Sequence, residues 1–168
     1  MSDLARTVVS WFDSHALQVD DCLDEKVDWF RALPFIFMHL TPLLIFLCGF
    51  SLAALAVCFL SYFIRMFSIT AFYHRYFSHK TFKTNRFIHT VFAFLGSSTT
   101  QRGPLWWASH HRRHHSRSDT VNDVHSPVTR SLIFSHMGWF LTKKHFPTEV
   151  KHVKDWMKYP ELVFINRF

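Results

Sequence analysis

Thirteen histidines in 168 residues, eight of them between His74 and His125, are the side chains of this sequence best equipped for chemistry. Neutral imidazole is a ligand for Fe, Zn, Cu and Ni, so histidines clustered at short spacing point first to metal binding. The first cluster is His74-Arg75-Tyr76-Phe77-Ser78-His79, an H-x4-H pair. At ~100° per residue, positions five apart on a straight helix stand roughly 140° from one another and share no face. Such a pair binds one ion only where the helix ends or distorts, or else gives one ligand to each of two neighbouring ions. The second cluster is Ser109-His110-His111-Arg112-Arg113-His114-His115. With His111 as origin, His114 and His115 fall at roughly −60° and +40°, so three imidazoles occupy one helical face. His110 lies off that face. Arg112 and Arg113 point away from it, where their charges do not oppose a metal. His89 reads as an ordinary helix residue.

The elements that must hold these clusters begin with an apolar run. From Ala32 to Ile64 there is no Asp, Glu, Lys or Arg. A hydrocarbon core of ~30 Å takes roughly 20 helical residues, so the stretch continued to Tyr73 is long enough for two crossings. Gly49-Phe50-Ser51 is the expected break, with one helix over Leu33 to Cys48 and a second from Leu52 to Tyr73. Arg65 falls where the second helix reaches the interface and can extend its guanidinium into the headgroups. Arg86 to Gly96 reads as a short helix lying against the bilayer. The expected architecture is therefore all-α and integral to the membrane. Residues 1–32 form an N-terminal cytoplasmic segment, 33–73 a transmembrane hairpin, and 74–168 a cytoplasmic and interfacial region carrying the histidines.

Charge sets the orientation. Residues 1–64 carry a net −4 and residues 65–168 a net +11, and the positive-inside rule places both ends of the hairpin in the cytoplasm. Other classes fit less well. Thirty mixed, acidic residues precede the apolar run, unlike a signal peptide. Three cysteines (Cys22, Cys48, Cys58) at no framework spacing exclude a disulfide scaffold. Arg112, Arg113 and Arg117 could form a nucleic-acid patch, but a membrane tether and Trp106-Trp107 argue against it. A buried hairpin in a soluble protein is the remaining alternative to a membrane hairpin.

The text around the clusters resembles the histidine boxes of the membrane acyl-CoA desaturases, the stearoyl-CoA-desaturase-like enzymes and their bacterial relatives. Tyr73 to His79, followed by Lys80-Thr81-Phe82-Lys83-Thr84, is similar to the first box, and Gly103-Pro104-Leu105-Trp106-Trp107-Ala108 through His115 to the second. Ser118-Asp119, Asp123-Val124-His125-Ser126-Pro127 and Ser135-His136-Met137-Gly138-Trp139 match the segments that follow. The 32-residue step from His79 to His111 also fits. The resemblance implies two irons on the cytoplasmic side of four transmembrane helices, with His74, His79, His111, His114 and His115 among their ligands. It implies oxidation of a long-chain acyl-CoA by O2 and two electrons to leave a cis double bond, with Δ9 the expected position. The electrons would come from a cytochrome b5 or ferredoxin type of donor, and membrane lipid is the other partner. Trp106 and Trp107 are candidate walls of an acyl tunnel, or interfacial belt residues. Arg102 and Lys83 could meet CoA phosphates or, the preferred reading, the anionic lipid surface. His125 is expected behind the ligands or in a loop. Asp119 or Asp123 could orient ligand imidazoles through their second nitrogen.

Two departures from the family pattern stand out. Its third H-x2-H-H box and second hairpin have no counterpart before Phe168, and Phe72 stands where relatives carry a small residue. The expectation is thus the N-terminal half of a desaturase fold, truncated before the third box, with incomplete iron ligation and little activity by itself. The alternative is a non-catalytic, membrane-anchored module that uses the histidines for one ion such as zinc.

Overall fold

The computed structural model describes residues 25–168 together with Val8, Val9 and Asp13, with Arg31 described by its backbone. Most of the expected N-terminal segment 1–32, Cys22 included, lies outside the described residues. Among the described residues the chain is helical and forms no strand, with one isolated bridge between Val27 and Thr142. Helix α1 (Trp29–Leu40) is followed by a 3₁₀ turn (Thr41–Leu44) and a short helix α2 (Ile45–Cys48), where the sequence pattern suggested one continuous helix. Pro42 is the reason. It has no N–H for the ladder, and the Met38 carbonyl accepts instead from the Thr41 hydroxyl at 2.8 Å. Gly49 ends the run at φ 71°, a left-handed position open to glycine at no steric cost. Ser51 then caps the next helix by accepting from the Ala54 N–H at 3.3 Å.

That helix, α3 (Leu52–Phe67), does not stop at Tyr73. It runs without a break into a π-helical stretch, Ser68–Ser78. Together they make 27 residues, long and apolar enough to cross a membrane, and only 6% of the most apolar stretch is buried. The apolar side chains of α3 face outward, Leu52, Phe63 and Phe67 among them, and only at Ser68 does burial begin. A helix that is apolar all round and almost uncovered matches lipid and not a protein core.

The packed body starts where the span ends. Tyr73, Tyr76 and Phe77 from the π-helical stretch meet Ala93 of α4 (Arg86–Ser97), Leu105 and Ala108 of α5 (Pro104–Arg117), and Leu162 of α6 (Pro160–Arg167). Val153 and Trp156 close this core from the 3₁₀-rich segment before α6. Polar groups inside it are paired. The Tyr73 hydroxyl donates to the Arg102 carbonyl at 3.0 Å and meets the Ser97 hydroxyl at 3.0 Å, and the Trp156 indole N–H donates to the Phe77 carbonyl at 2.8 Å.

Helix α5 carries the second histidine cluster, and its start is capped from outside. Its N-cap is Gly103, which has no side chain to accept from the first turn. Asn166 of α6 supplies the acceptor, taking the Trp106 N–H on Oδ1 at 2.7 Å. Gly103 also makes room for that approach, since a Cβ there would lie 2.4 Å from the Asn166 Cα. Gly96 plays the same part for the first cluster. A Cβ on it would fall 2.0 Å from Cε1 of Tyr73, whose ring is held by its core packing and hydrogen bonds. Gly96→Ala is expected to destabilise the protein by about 3 kcal/mol through overpacking, read as a lowered unfolding midpoint in detergent.

Candidate metal centre

Histidines five apart cannot share a face of an α-helix, and the π-helical stretch resolves this. Its hydrogen bonds run from residue i+5 to residue i, so the residue five on is stacked over its partner. The His79 N–H donates to the His74 carbonyl at 3.1 Å, which makes this pair one such step. A distortion of the kind that lets such a pair meet is therefore present, and it lies at the last turn of the long apolar helix. His111 and His115, four apart on α5, present their rings to the same point. Ring centroids are 4.6 Å apart for His74–His79, 4.7 Å for His74–His111, 4.8 Å for His79–His115 and 4.5 Å for His111–His115. One nitrogen from each of the four lies within 4.8 Å of the other three.

That donor set fits a transition metal. Four nitrogens each ~2.1 Å from one ion are necessarily within about 4.2 Å of one another, so only a small contraction would close the group on it. The electrostatics agree. His111 is pushed down to about 3 by burial and then by the neighbouring His115, His74, His79 and His114, and His79 is lowered by burial and by His74, His115 and Arg112. Rings held neutral keep the lone pairs that a metal needs.

His114 is not a member of this group. It stands on the other flank of His111, its ring centroid 6.5 Å from that of His111, because residues 111 and 115 share a stripe that residue 114 does not. Its Nδ1 donates to both oxygens of Asp123 at 2.9 and 3.0 Å, leaving Nε2 as the acceptor nitrogen. Burial alone would raise the Asp123 carboxyl, but His114 and the backbone N–H groups of Asp119 and His125 hold it below the ordinary carboxylate range. Of the two acids singled out in the sequence, Asp123 is the one bonded to a ligand candidate. His125 lies beside His114, centroids 5.3 Å apart, with its own Nδ1 donating to the Ser135 carbonyl at 2.6 Å.

A cavity of about 970 Å³ reaches from Phe35 and Met38 of α1 to His111, His114 and His125. Trp106, Trp107 and Arg102 all line it. Trp106 is buried, stacked on Trp139 at 5.5 Å, and donates its indole N–H to the His145 carbonyl at 3.0 Å. Burial at this depth removes the interfacial-belt reading for Trp106. Trp107 stacks on His111 at 4.6 Å and so forms a wall of both cavity and cluster. The Arg102 guanidinium lies 4.4 Å over Trp106 and 3.7 Å over Phe146, aimed at aromatic faces. Lys83 is exposed on the turn before α4.

Two features had no clear signal in the sequence. Arg112 donates to the Phe77 carbonyl (2.6 Å), the Ser78 carbonyl (2.8 Å), the His152 carbonyl (2.7 Å) and both oxygens of Asp155 (2.8 and 3.3 Å). It ties the two histidine clusters together through backbone carbonyls, which no residue pattern announces. His145 is fully buried, and its ring nitrogens have no hydrogen-bond partner among the described residues. His110 is off the cluster as its helical position implied, buried with Nε2 donating to the Pro147 carbonyl at 3.2 Å. His89 is a helix residue outside the histidine group, as its place in the sequence suggested, and it meets Glu161 at 3.0 Å, joining α4 to α6.

With this geometry in view, the comparisons with known proteins are direct. The fatty acid desaturase family model matches residues 28–167. The chain belongs to that family. It is 34% identical over 120 residues to an acyl-CoA 5-desaturase of Anemone leveillei, covering 70% of this chain and 35% of the relative. It is 30% identical over 146 residues to an sn-1 stearoyl-lipid 9-desaturase of Anabaena variabilis, covering 85% of this chain and 53% of the relative. A Δ(9)-fatty-acid desaturase of Caenorhabditis elegans is 37% identical over 110 residues, 63% of this chain and 32% of the relative. The chain thus spans between a third and about half the length of these relatives. No solved structure gives a significant match.

His145 yields a stability test for this family member. Burial first, then Arg113 and Lys144, lower its pKa to about 4 from an ordinary 6.5. The unfolded chain therefore takes up the proton at a higher pH than the folded one, and stability falls as pH drops from about 6.5 towards 4. His145→Met, which buries no unpaired polar atom, is expected to change stability little at pH 7 and to flatten that acid slope in melts between pH 7 and 4.

Proposed function

We propose that this desaturase-family chain forms the first histidine half-site and part of the acyl cavity of an O2-dependent, membrane-bound diiron desaturase. The observation that carries the reading is the set of four imidazoles converging at the end of an apolar helix, beside a cavity walled by Trp106 and Trp107. In the proposed topology residues 33–73 cross the bilayer as a hairpin, and 74–168 lie on its cytoplasmic side, where the +11 charge belongs. The substrate is a long acyl chain carried by CoA, desaturated at Δ9, with electrons from a cytochrome b5 or ferredoxin type of donor.

Bound iron supplies, with O2 and two electrons, the oxidising power to remove two hydrogens from adjacent methylenes, chemistry beyond side-chain acids and bases. The chain's own residues do the rest. His74, His79, His111 and His115 would hold one ion, and His114, with its tautomer set by Asp123, would offer Nε2 to a second. Trp107 fixes the plane of His111 by stacking, and the aromatic and apolar walls exclude water and orient the chain. A second reading, a single structural ion such as zinc held by the same four imidazoles, is favoured by their roughly tetrahedral number and predicts no consumption of O2.

Metal analysis of purified variants tests the site. His115→Ala is expected to weaken iron retention at least tenfold, and Asp123→Ala to weaken the contribution of His114 by a similar factor. His152→Ala, outside the cluster, is expected to leave it unchanged. Equal losses in all three would mean nonspecific imidazole binding. Acyl products analysed after co-expression with an electron donor then separate the desaturase reading from the structural-ion reading.

A further inference from the structure

Beside His114 stands an imidazole that belongs to neither histidine cluster. His125 lies in the segment after α5, and its Nδ1 donates to the Ser135 carbonyl at 2.6 Å. That bond fixes the tautomer and leaves Nε2 as the nitrogen with a lone pair. His114 is prepared in the same way, its Nδ1 given to Asp123 at 2.9 and 3.0 Å. A ring whose far nitrogen is tied to a carbonyl or a carboxylate is in the usual state of a metal ligand. Both residues line the 970 Å³ cavity, and neither is fully buried, so an ion can reach them.

One carboxylate arranges the pair. Asp123 is buried, and besides the His114 ring it accepts from the backbone N–H groups of Asp119 and His125, each at 3.0 Å. The segment around it is tied in turn. Asp119 takes φ 59° and accepts from the Ser126 hydroxyl at 2.5 Å, and the Thr129 hydroxyl donates to the Asp123 carbonyl at 3.3 Å. The Trp139 ring meets that of His125 edge to face at 5.8 Å and limits its movement.

Ring spacing decides which imidazoles can share an ion. A nitrogen bound at ~2.1 Å places its ring centre ~3.2 Å from the metal, so two rings on one tetrahedral ion have centres ~5.2 Å apart. His114 and His125 stand 5.3 Å apart. His111 and His114, at 6.5 Å, could share an ion only from opposite sides of it. His115 is 5.6 Å from His114, but its donor nitrogen is already one of the converging four. We propose that His125 Nε2 is a ligand of the second ion together with His114 Nε2, and that Asp123 is the positioning residue for both rings. The assignment rests on the two-ion reading above and adds to it a donor from outside both clusters.

The test is titration of the full, metal-free chain in detergent micelles with Cu(II), whose pulsed EPR spectrum counts bound imidazoles through their remote nitrogens. Two classes of site are expected, the tighter with four imidazoles and the weaker with two. His125→Asn keeps an N–H for the Ser135 carbonyl and removes the Nε2 lone pair. It should raise the dissociation constant of the weaker class at least tenfold and lower its imidazole count from two to one. The tighter class and the metal-free thermal midpoint should not change. Asp123→Asn should weaken the same class with both imidazoles still counted, and His115→Ala should weaken the tighter class alone. A weaker class unchanged in His125→Asn overturns the assignment of His125 and leaves the two-ion reading standing. A parent chain that binds a single Cu(II) overturns both. Equal weakening by His152→Ala, outside the cavity, means adventitious imidazole binding and also overturns the assignment.

Discussion

The candidate centre depends on one guanidinium. Arg112 faces away from the histidines of its own helix and uses its planar fork of N–H donors on the carbonyls of Phe77 and Ser78, the last residues before His79, and on the His152 carbonyl and Asp155. Phe77 and Ser78 end the spanning helix, and Asp155 belongs to the segment that closes the core. One side chain thereby sets the distance between two histidine clusters 32 residues apart. Asp155, paired also with Lys80, compensates the guanidinium for its partial loss of water. A lysine could not take its place, because an ammonium has three donors on a single atom and no rigid fork.

Around that clasp, α5 separates two kinds of chemistry on its two sides. On the histidine side, burial and repulsion from neighbouring rings lower the pKa of His79 and His111, which preserves their ligand character. The opposite side collects Arg112, Arg113 and Arg117, and their acids, Asp155 and Glu149, come from later in the chain. Cations that would compete with a metal are thus within two residues of its candidate ligands and still turned away from them. The same division places a polar, positively charged cavity behind an aromatic one, with Arg113 in the wall between them.

Much of this was legible before any coordinates. The apolar run, the break at Gly49-Phe50-Ser51 and a helix from Arg86 to about Gly96 follow from composition and helical period and recur in the structure, whereas of the three imidazoles expected on one face of α5 only His111 and His115 join the histidine group. The extent of the spanning helix was not legible, because nothing in Ser68–Ser78 distinguishes π from α hydrogen bonding residue by residue. The H-x4-H spacing was the only trace, and it left open a helix end, a distortion, or one ligand for each of two neighbouring ions. The split of Leu33 to Cys48 at Pro42 had a local cause in view, yet the apolar text masked it. His145 and His89 looked like unremarkable histidines, since burial and a partner at Glu161 are created by segments far away in sequence.

The sequence by itself determined the class of chemistry. Imidazoles at metal-ligand spacing, a charge-free apolar stretch and a basic flank are written in residue types and periods, and these depend only on local geometry and solvation. Tertiary structure alone decided which histidines meet. Four converge, while His114 turns to Asp123, because ligand geometry depends on the angle between two helices and on the carbonyls that Arg112 grips. Those are relations between distant parts of the chain, and a one-dimensional pattern has no term for them.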